Sequence, residues 1–234
     1  MIKALYKKEI SYYLTNPIGY ITIVLFGICA NFLFVKDLFA VGSASMKPFF
    51  AITPWIMLIF IPAITMKAFA EEKRTNTIET LLTLPITELE IVLAKCAAIV
   101  TVVAIALGLT LLIPITLVYY SHLYIPEIIT GYIGLLLYGS SIISISLFFS
   151  SLTKNQVVAF LYSVICIFIL LVIATEFTAN VLPKFLQDII TSFGFLYHLS
   201  NFIKGVIDLR SVIYFVSLFI LSIFLTVINL ERRG

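Results

Sequence analysis

The sequence predicts an all-α integral membrane protein, a single transmembrane domain over residues 1–234, and three observations carry that expectation. Of the 234 residues 62% are hydrophobic and 12% charged, against about 45–50% and about 25% in a soluble domain. Six apolar runs, at about 17–35, 49–69, 89–120, 127–151, 156–175 and 211–230, follow one another with little between them; a bilayer crossing needs roughly 20 such residues. No charge falls in the middle of any run. Mean hydropathy is +1.14. The net charge of +3 is mild and implies no nucleic-acid partner.

The first element, "MIKALYKKEISYYL", is amphipathic. At about 100° per residue, Ile2, Leu5, Tyr6, Ile10 and Tyr13 share one face, and Lys3, Lys7, Lys8 and Ser11 the other. This suits a helix lying on a membrane surface with its lysines toward anionic lipid. Glu9 falls in the middle of the apolar face. It is either a solvated carboxylate at a fraying end or an ion-pair partner, with Lys73, Arg74 and Lys154 as candidates.

The first run begins near Pro17 without a small-residue cleavage site and reads as a retained span. Pro54 and Pro62 should bend the second run, and Pro114 the overlong third, because each removes a helix hydrogen bond. Lys67 and Lys95 lie near span ends, where a long side chain snorkels to the interface. In the fourth run, "YGSSIISISLFFSS" offers small and hydroxyl residues that permit close helix packing. Cys29, Cys96 and Cys166 sit inside apolar runs and read as small hydrophobes. Between the fifth and sixth runs, 176–210 is too polar to span and too apolar for a free loop. It predicts one or two short amphipathic helices, with breaks at Gly194 and Gly205.

Between the second and third runs lies "AEEKRTNTIETLLTLPIT", residues 70–87, with five charged residues. Asn76 can cap a helix, with Glu79 three residues on as its capping-box partner. Ile78, Leu81 and Leu82 form a stripe at i, i+3, i+4, and Pro85 closes the segment. A helix this short is unstable alone in water, so it must dock on something.

With six spans both termini share a side. That side holds ten cations and the other five, so the positive-inside rule places the termini and residues 70–88 in the cytoplasm, with 36–48, 121–126 and 176–210 outside.

The 70–87 stretch resembles the signature region of ABC-2-type transporter permeases, a family whose pattern is roughly E-(E/K)-x-R-x-G-T-(L/I)-E-x-L-L-T-x-P-(V/I)-(T/S). The matching positions are Glu71, Glu72, Arg74, Thr77, Ile78, Glu79, Leu81, Leu82, Thr83, Pro85, Ile86 and Thr87, with Asn76 where glycine is usual. "YKKEISYYLTNPIGYI" resembles the family's N-terminal entry, and "FSSLTKNQVVAF" its second cytoplasmic turn. The C-terminal part looks most like the branch of gliding-motility and copper-site-maturation permeases. The resemblance implies a multi-pass protein of a bacterial-type inner membrane that pairs with a second permease, identical or related, and works with a separate P-loop ABC ATPase. It implies that ATP and Mg are held by that ATPase, with no cofactor or metal here. It further implies a coupling helix built from the residues around Glu71–Pro85 and a smaller second contact at Thr153, Lys154 and Asn155. Transport, in the export direction, is the expected function.

The sequence contains no G-x-x-x-x-G-K-[ST] phosphate loop and no H-E-x-x-H. The two histidines, His122 and His198, are expected near the outer face; His198 with Tyr197 and Asn201 reads as a polar tip. A membrane protease built on Glu71-Glu72-Lys73-Arg74 is the rival from another class, but the spacing is off by two residues and no histidine falls within a span. A membrane scaffold without transport activity is the third reading.

Overall fold

The computed structural model describes residues 2–41, 45–78, 86–120, 124–173 and 192–231. The regular structure among them is helical: α1 (Ile2–Thr15), α2 (Pro17–Val41), α3 (Lys47–Thr65), α4 (Lys67–Arg74), α5 (Glu88–Thr110), α6 (Leu112–Tyr120), α7 (Ile125–Leu152), α8 (Gln156–Val172), α9 (Phe195–Ile203) and α10 (Leu209–Glu231). Five stretches are long and apolar enough to cross a membrane: Gly19–Lys36, Lys47–Arg74, Glu88–Tyr119, Ile125–Leu152 and Leu209–Glu231. The fifth apolar run yields the shorter Gln156–Val172, 17 residues.

The proline expectations resolve into specific breaks. Pro114 has no N–H for the Thr110 carbonyl, and the helix interrupts at Leu111, whose N–H turns back to Gly108 at 3.1 Å. Pro54 and Pro62 lie inside α3, which ends at Thr65. The break at Met66 is filled by a residue from another helix. Ser150 Oγ accepts from the N–H groups of Phe69 and Ala70 at 3.1 and 3.2 Å and donates to the Met66 carbonyl at 2.9 Å. A side chain inserted into the helical ladder is a recognised cause of a kink. It makes α4 a separate foot below α3.

Helix α7 is the axis of the bundle and packs on α3, α4, α5, α8, α9 and α10. Its small residues make this possible. A Cβ on Gly131 would lie 2.4 Å from the Phe50 ring, and one on Gly134 2.6 Å from Phe202 Cβ. Two of its buried hydroxyls donate to carbonyls of neighbouring helices, Tyr138 to Pro54 at 3.1 Å and Ser141 to Phe215 at 3.0 Å, while Ser146 Oγ is buried without a partner among the described residues.

The bundle has two ends. The apical end gathers the starts of α3 and α7, bridged by Lys47–Glu127 at 3.7 Å, and helix α9, whose Phe202 carbonyl accepts from Thr130 at 2.9 Å. Both glycine breaks fall as the sequence predicts: Gly194 precedes α9, and Gly205 at φ +84 follows it. The Val206 N–H returns to Asn201 and that of Gly205 to Phe202, each at 3.1 Å, the Schellman ending that requires a left-handed residue. His198 is buried, stacked on Tyr214 with centroids 4.1 Å apart. Its Nε2 lies 2.8 Å from the Ser192 carbonyl, so Nε2 carries the proton and Nδ1 accepts from Ser211 at 3.2 Å. This histidine is a packed structural joint rather than an exposed polar tip. His122 and residues 176–191 lie outside the described residues.

Candidate functional site: the basal ion cluster and the 75–87 stretch

The basal end carries α4, the start of α5, the α7–α8 turn and the end of α10. Helix α1 folds back along α5 and α2. Its apolar face is therefore buried on protein: Leu5, Glu9 and Tyr13 are its buried residues, and the Tyr6 hydroxyl meets Thr101 at 2.9 Å. Gly19 allows the fold-back, since a Cβ there would strike the Tyr13 carbonyl at 1.8 Å.

Glu9 on this face finds a partner none of the sequence candidates supplied. Lys95 Nζ lies 3.0 Å from Glu9 Oε1 and 2.7 Å from Glu72 Oε1, and its side chain is 2% exposed. The third face of the ammonium looks onto the Phe69 ring, 5.3 Å from Nζ to the centroid. Lys95 does not snorkel. It sits at the centre of a buried carboxylate–ammonium–carboxylate cluster that joins α1, α4 and α5. Two carboxylates share one ammonium, and Glu72 Oε2 is buried with no hydrogen-bond partner.

The alternative cations lie elsewhere. Lys73, 3% exposed, donates from its ammonium to the Ser151 carbonyl, which also accepts from Asn229 Nδ2 at 2.7 Å. Arg74 lies 3.7 Å from Glu71 in an exposed pair that contributes little. Lys154 is exposed in the α7–α8 turn. In that turn Thr153 Oγ1 accepts from the Asn155 N–H at 3.0 Å, and Asn155 Oδ1 caps α8 by accepting from the Val157 N–H at 3.0 Å. Through Lys73 and Ser151 the two segments singled out in the sequence, α4 with its continuation and the turn 153–155, meet at one end of the bundle.

Beside the cluster lies a cleft of about 350 Å³ lined by Lys8, Tyr12, Lys67, Glu71 and Thr77 among others. Burial, followed by the Glu9 carboxylate, holds the Tyr13 phenol far above its ordinary pKa. Tyr12 is raised by burial and then by Glu71. Both phenols stay neutral beside the carboxylates.

The 75–87 stretch is visible at its two feet. Thr75 caps α4 and Asn76 takes φ +57. Asn76 therefore serves first as the left-handed residue after α4, a position Asn tolerates better than other non-glycine residues. That geometry explains how asparagine stands where the resembling pattern has glycine. Thr77 and Ile78 are helical, Thr77 exposed and Ile78 packed on the core edge. Glu79, Leu81, Leu82 and Pro85, the rest of the expected coupling helix, lie outside the described residues. At the second foot the capping box is Thr87 with Glu90, at 3.2 and 3.3 Å, opening α5. The signal T-x-x-E was present in the sequence at 87–90 and was not singled out there.

The chain matches the family described as ABC-2 family transporter protein over residues 3–228, nearly its whole length. It belongs to the ABC-2 transporter family. Comparison with curated proteins gives no match. As an ABC-2 family member the chain is a multi-pass membrane component of a transport system. The sequence resemblance to the family is thereby confirmed, and the narrower likeness to the gliding-motility and copper-site-maturation branch receives no support.

Proposed function

We propose that this ABC-2 protein is the permease subunit of an ABC transporter and that residues 75–87 receive the movement of a separate P-loop ATPase. The observation that supports this reading most is the arrangement of the feet. Glu72 stands just before the stretch and Lys95 just after it, and they pair at 2.7 Å. The same ammonium holds Glu9, so a displacement of the stretch is passed to α1 as well as to α3–α4 and α5. The turn 153–155, reached through Lys73, is the second contact. In this reading the ATPase carries ATP and Mg and performs the phosphoryl chemistry. The permease pairs with a second copy or a related permease and rocks between two arrangements. Six spans cross an inner membrane with both termini cytoplasmic, Gln156–Val172 being counted as the fifth, and export is the direction.

The experiment is co-purification of the ATPase with variants. Leu81→Asp combined with Leu82→Asp loses the burial of two leucines, roughly 1.5–3 kcal/mol each when complete, and forces charge into the docking groove. The double variant inserts in the membrane and fails to retain the ATPase, while Thr75→Ala retains it. A correctly inserted double variant with wild-type ATPase retention and transport refutes the assignment.

A further inference from the structure

On the flank of the bundle, a groove of about 690 Å³ is lined by residues of α1, α5, α7 and α10. That volume lies in the ~300–1,000 Å³ range of small-molecule sites. Ala97, Val100, Leu137 and Phe219 are among its floor and walls, with Ile2 and Tyr6 on the α1 side. The hydroxyls at its edge are already engaged: Tyr6 with Thr101 at 2.9 Å, and Ser140 with its own Leu136 carbonyl at 2.7 Å. The groove thus offers mostly hydrocarbon surface, and its hydroxyl donors are already engaged. Its floor belongs to three helices long and apolar enough to cross a membrane. It therefore opens to lipid, and water does not fill it.

One charged residue lines the groove, Lys3, which is exposed, and no acidic residue lines it among the described residues. A hydrocarbon trough with a single cation matches an anionic amphiphile. A second copy of the chain seated there would bury Lys3 without a counter-charge unless it brought a carboxylate. A lysine stem lies along apolar surface and carries its ammonium to the headgroup level.

We propose that this groove binds one anionic phospholipid from the leaflet on the basal side. An acyl chain lies along Ala97, Val100 and Leu137, and the phosphate pairs with Lys3. The lipid then fills the gap between α1 and the bundle, so the seating of α1 depends on the anionic lipid of that leaflet. Because α1 is tied to Lys95 through Glu9, the lipid and the 75–87 stretch act on the same cluster.

The test uses the full chain in nanodiscs of phosphatidylcholine doped with phosphatidylglycerol carrying a photoactivatable acyl chain. In the wild-type protein, adducts concentrate in peptides covering 93–101, 137–140 and 215–219, and native mass spectrometry retains one phosphatidylglycerol. Ala97→Trp fills the groove and lowers adduct yield and retention about tenfold. Lys3→Gln lowers the preference for phosphatidylglycerol over phosphatidylcholine about fivefold, the equivalent of one lysine at an anionic surface, and leaves acyl-chain adducts in place. Adducts spread evenly over the spans, or retention by Ala97→Trp equal to wild type, overturns the proposal. So does an Ala97→Trp variant that loses pairing between copies while keeping its lipid. If Ala97→Trp does not fold, the wild-type adduct map alone decides.

Discussion

The two ends of the bundle are held by different physics. At the apical end, Phe195, Phe202, Phe215, Tyr138 and Tyr214 interlock; the Tyr138 and Phe195 rings meet edge-on at 5.2 Å. The polar groups there are matched, His198 between Ser192 and Ser211 and Thr130 on the Phe202 carbonyl. At the basal end three helices meet on one ammonium shared by two carboxylates, with one carboxylate oxygen left over. Aromatic packing is short-ranged, and its cost on substitution grows with the volume removed. A buried ion cluster contributes little net stability over an apolar substitute but collapses when one member is removed. The contrast separates a fixed end from an end whose integrity depends on one residue, and the second is where the candidate partner contacts lie.

The largest effect tests that contrast at its centre. Lys95→Met leaves Glu9 and Glu72 buried without a cation and should cost about 3–5 kcal/mol, read as a fall in the thermal midpoint of the purified protein. Adding Glu9→Leu and Glu72→Leu should recover most of the loss, because a wholly apolar replacement is near neutral. If Lys95→Met melts like wild type, the basal cluster is not the keystone described above.

A smaller effect is expected at the packed axis. Gly134→Ala places a methyl group against Phe202 Cβ at 2.6 Å and should destabilise by about 1–3 kcal/mol through overpacking. Gly108→Ala, with nothing within 4 Å of the new atom, should be neutral or stabilising by up to about 1 kcal/mol. Equal melting of the two variants would show that the apical packing is looser than its distances imply.

The smallest concerns the left-handed residue at the first foot. Asn76→Ala keeps a Cβ at φ +57 but removes the carboxamide that makes this conformation tolerable, and should cost about 1–2 kcal/mol locally, while Asn76→Gly should be neutral or mildly stabilising. Limited proteolysis within 75–87 reads this, since cleavage follows the population of opened chain. Faster cleavage in the alanine variant alone is the expected result, and equal rates for both would detach φ at 76 from the order of the stretch.

Hydropathy made the helical class and the apolar runs legible, because span length and polarity are properties of contiguous sequence. The break near Pro114 and the packing role of the α7 serines were legible for the same local reasons. What escaped was non-local. Lys95 lies 86 residues from Glu9, and nothing in an isolated α5 tells that α1 folds back onto it. Pro54 and Pro62 were expected to bend the second run, but the break at Met66, which Ser150 of α7 completes, was not anticipated. Asn76 was read as the start of a helix; the two residues after it are helical, and its left-handed φ at the end of α4 was not anticipated. His198 sat where a polar tip was expected, and only the tertiary stack on Tyr214 makes it a joint.

The serine at Met66 also bears on the order in which the protein can be finished. Phe69 and Ala70 take their hydrogen-bond acceptor from a residue 81 and 80 positions downstream. During synthesis the α3–α4 segment leaves the ribosome well before α7 does, and until Ser150 arrives those two amides can turn only to water or to the Thr65 and Met66 carbonyls of a straight helix. The foot of the second span is thus completed late, after the helix that forms the axis is in place. A chain stopped before residue 150 would lack the side chain that fills the break at Met66.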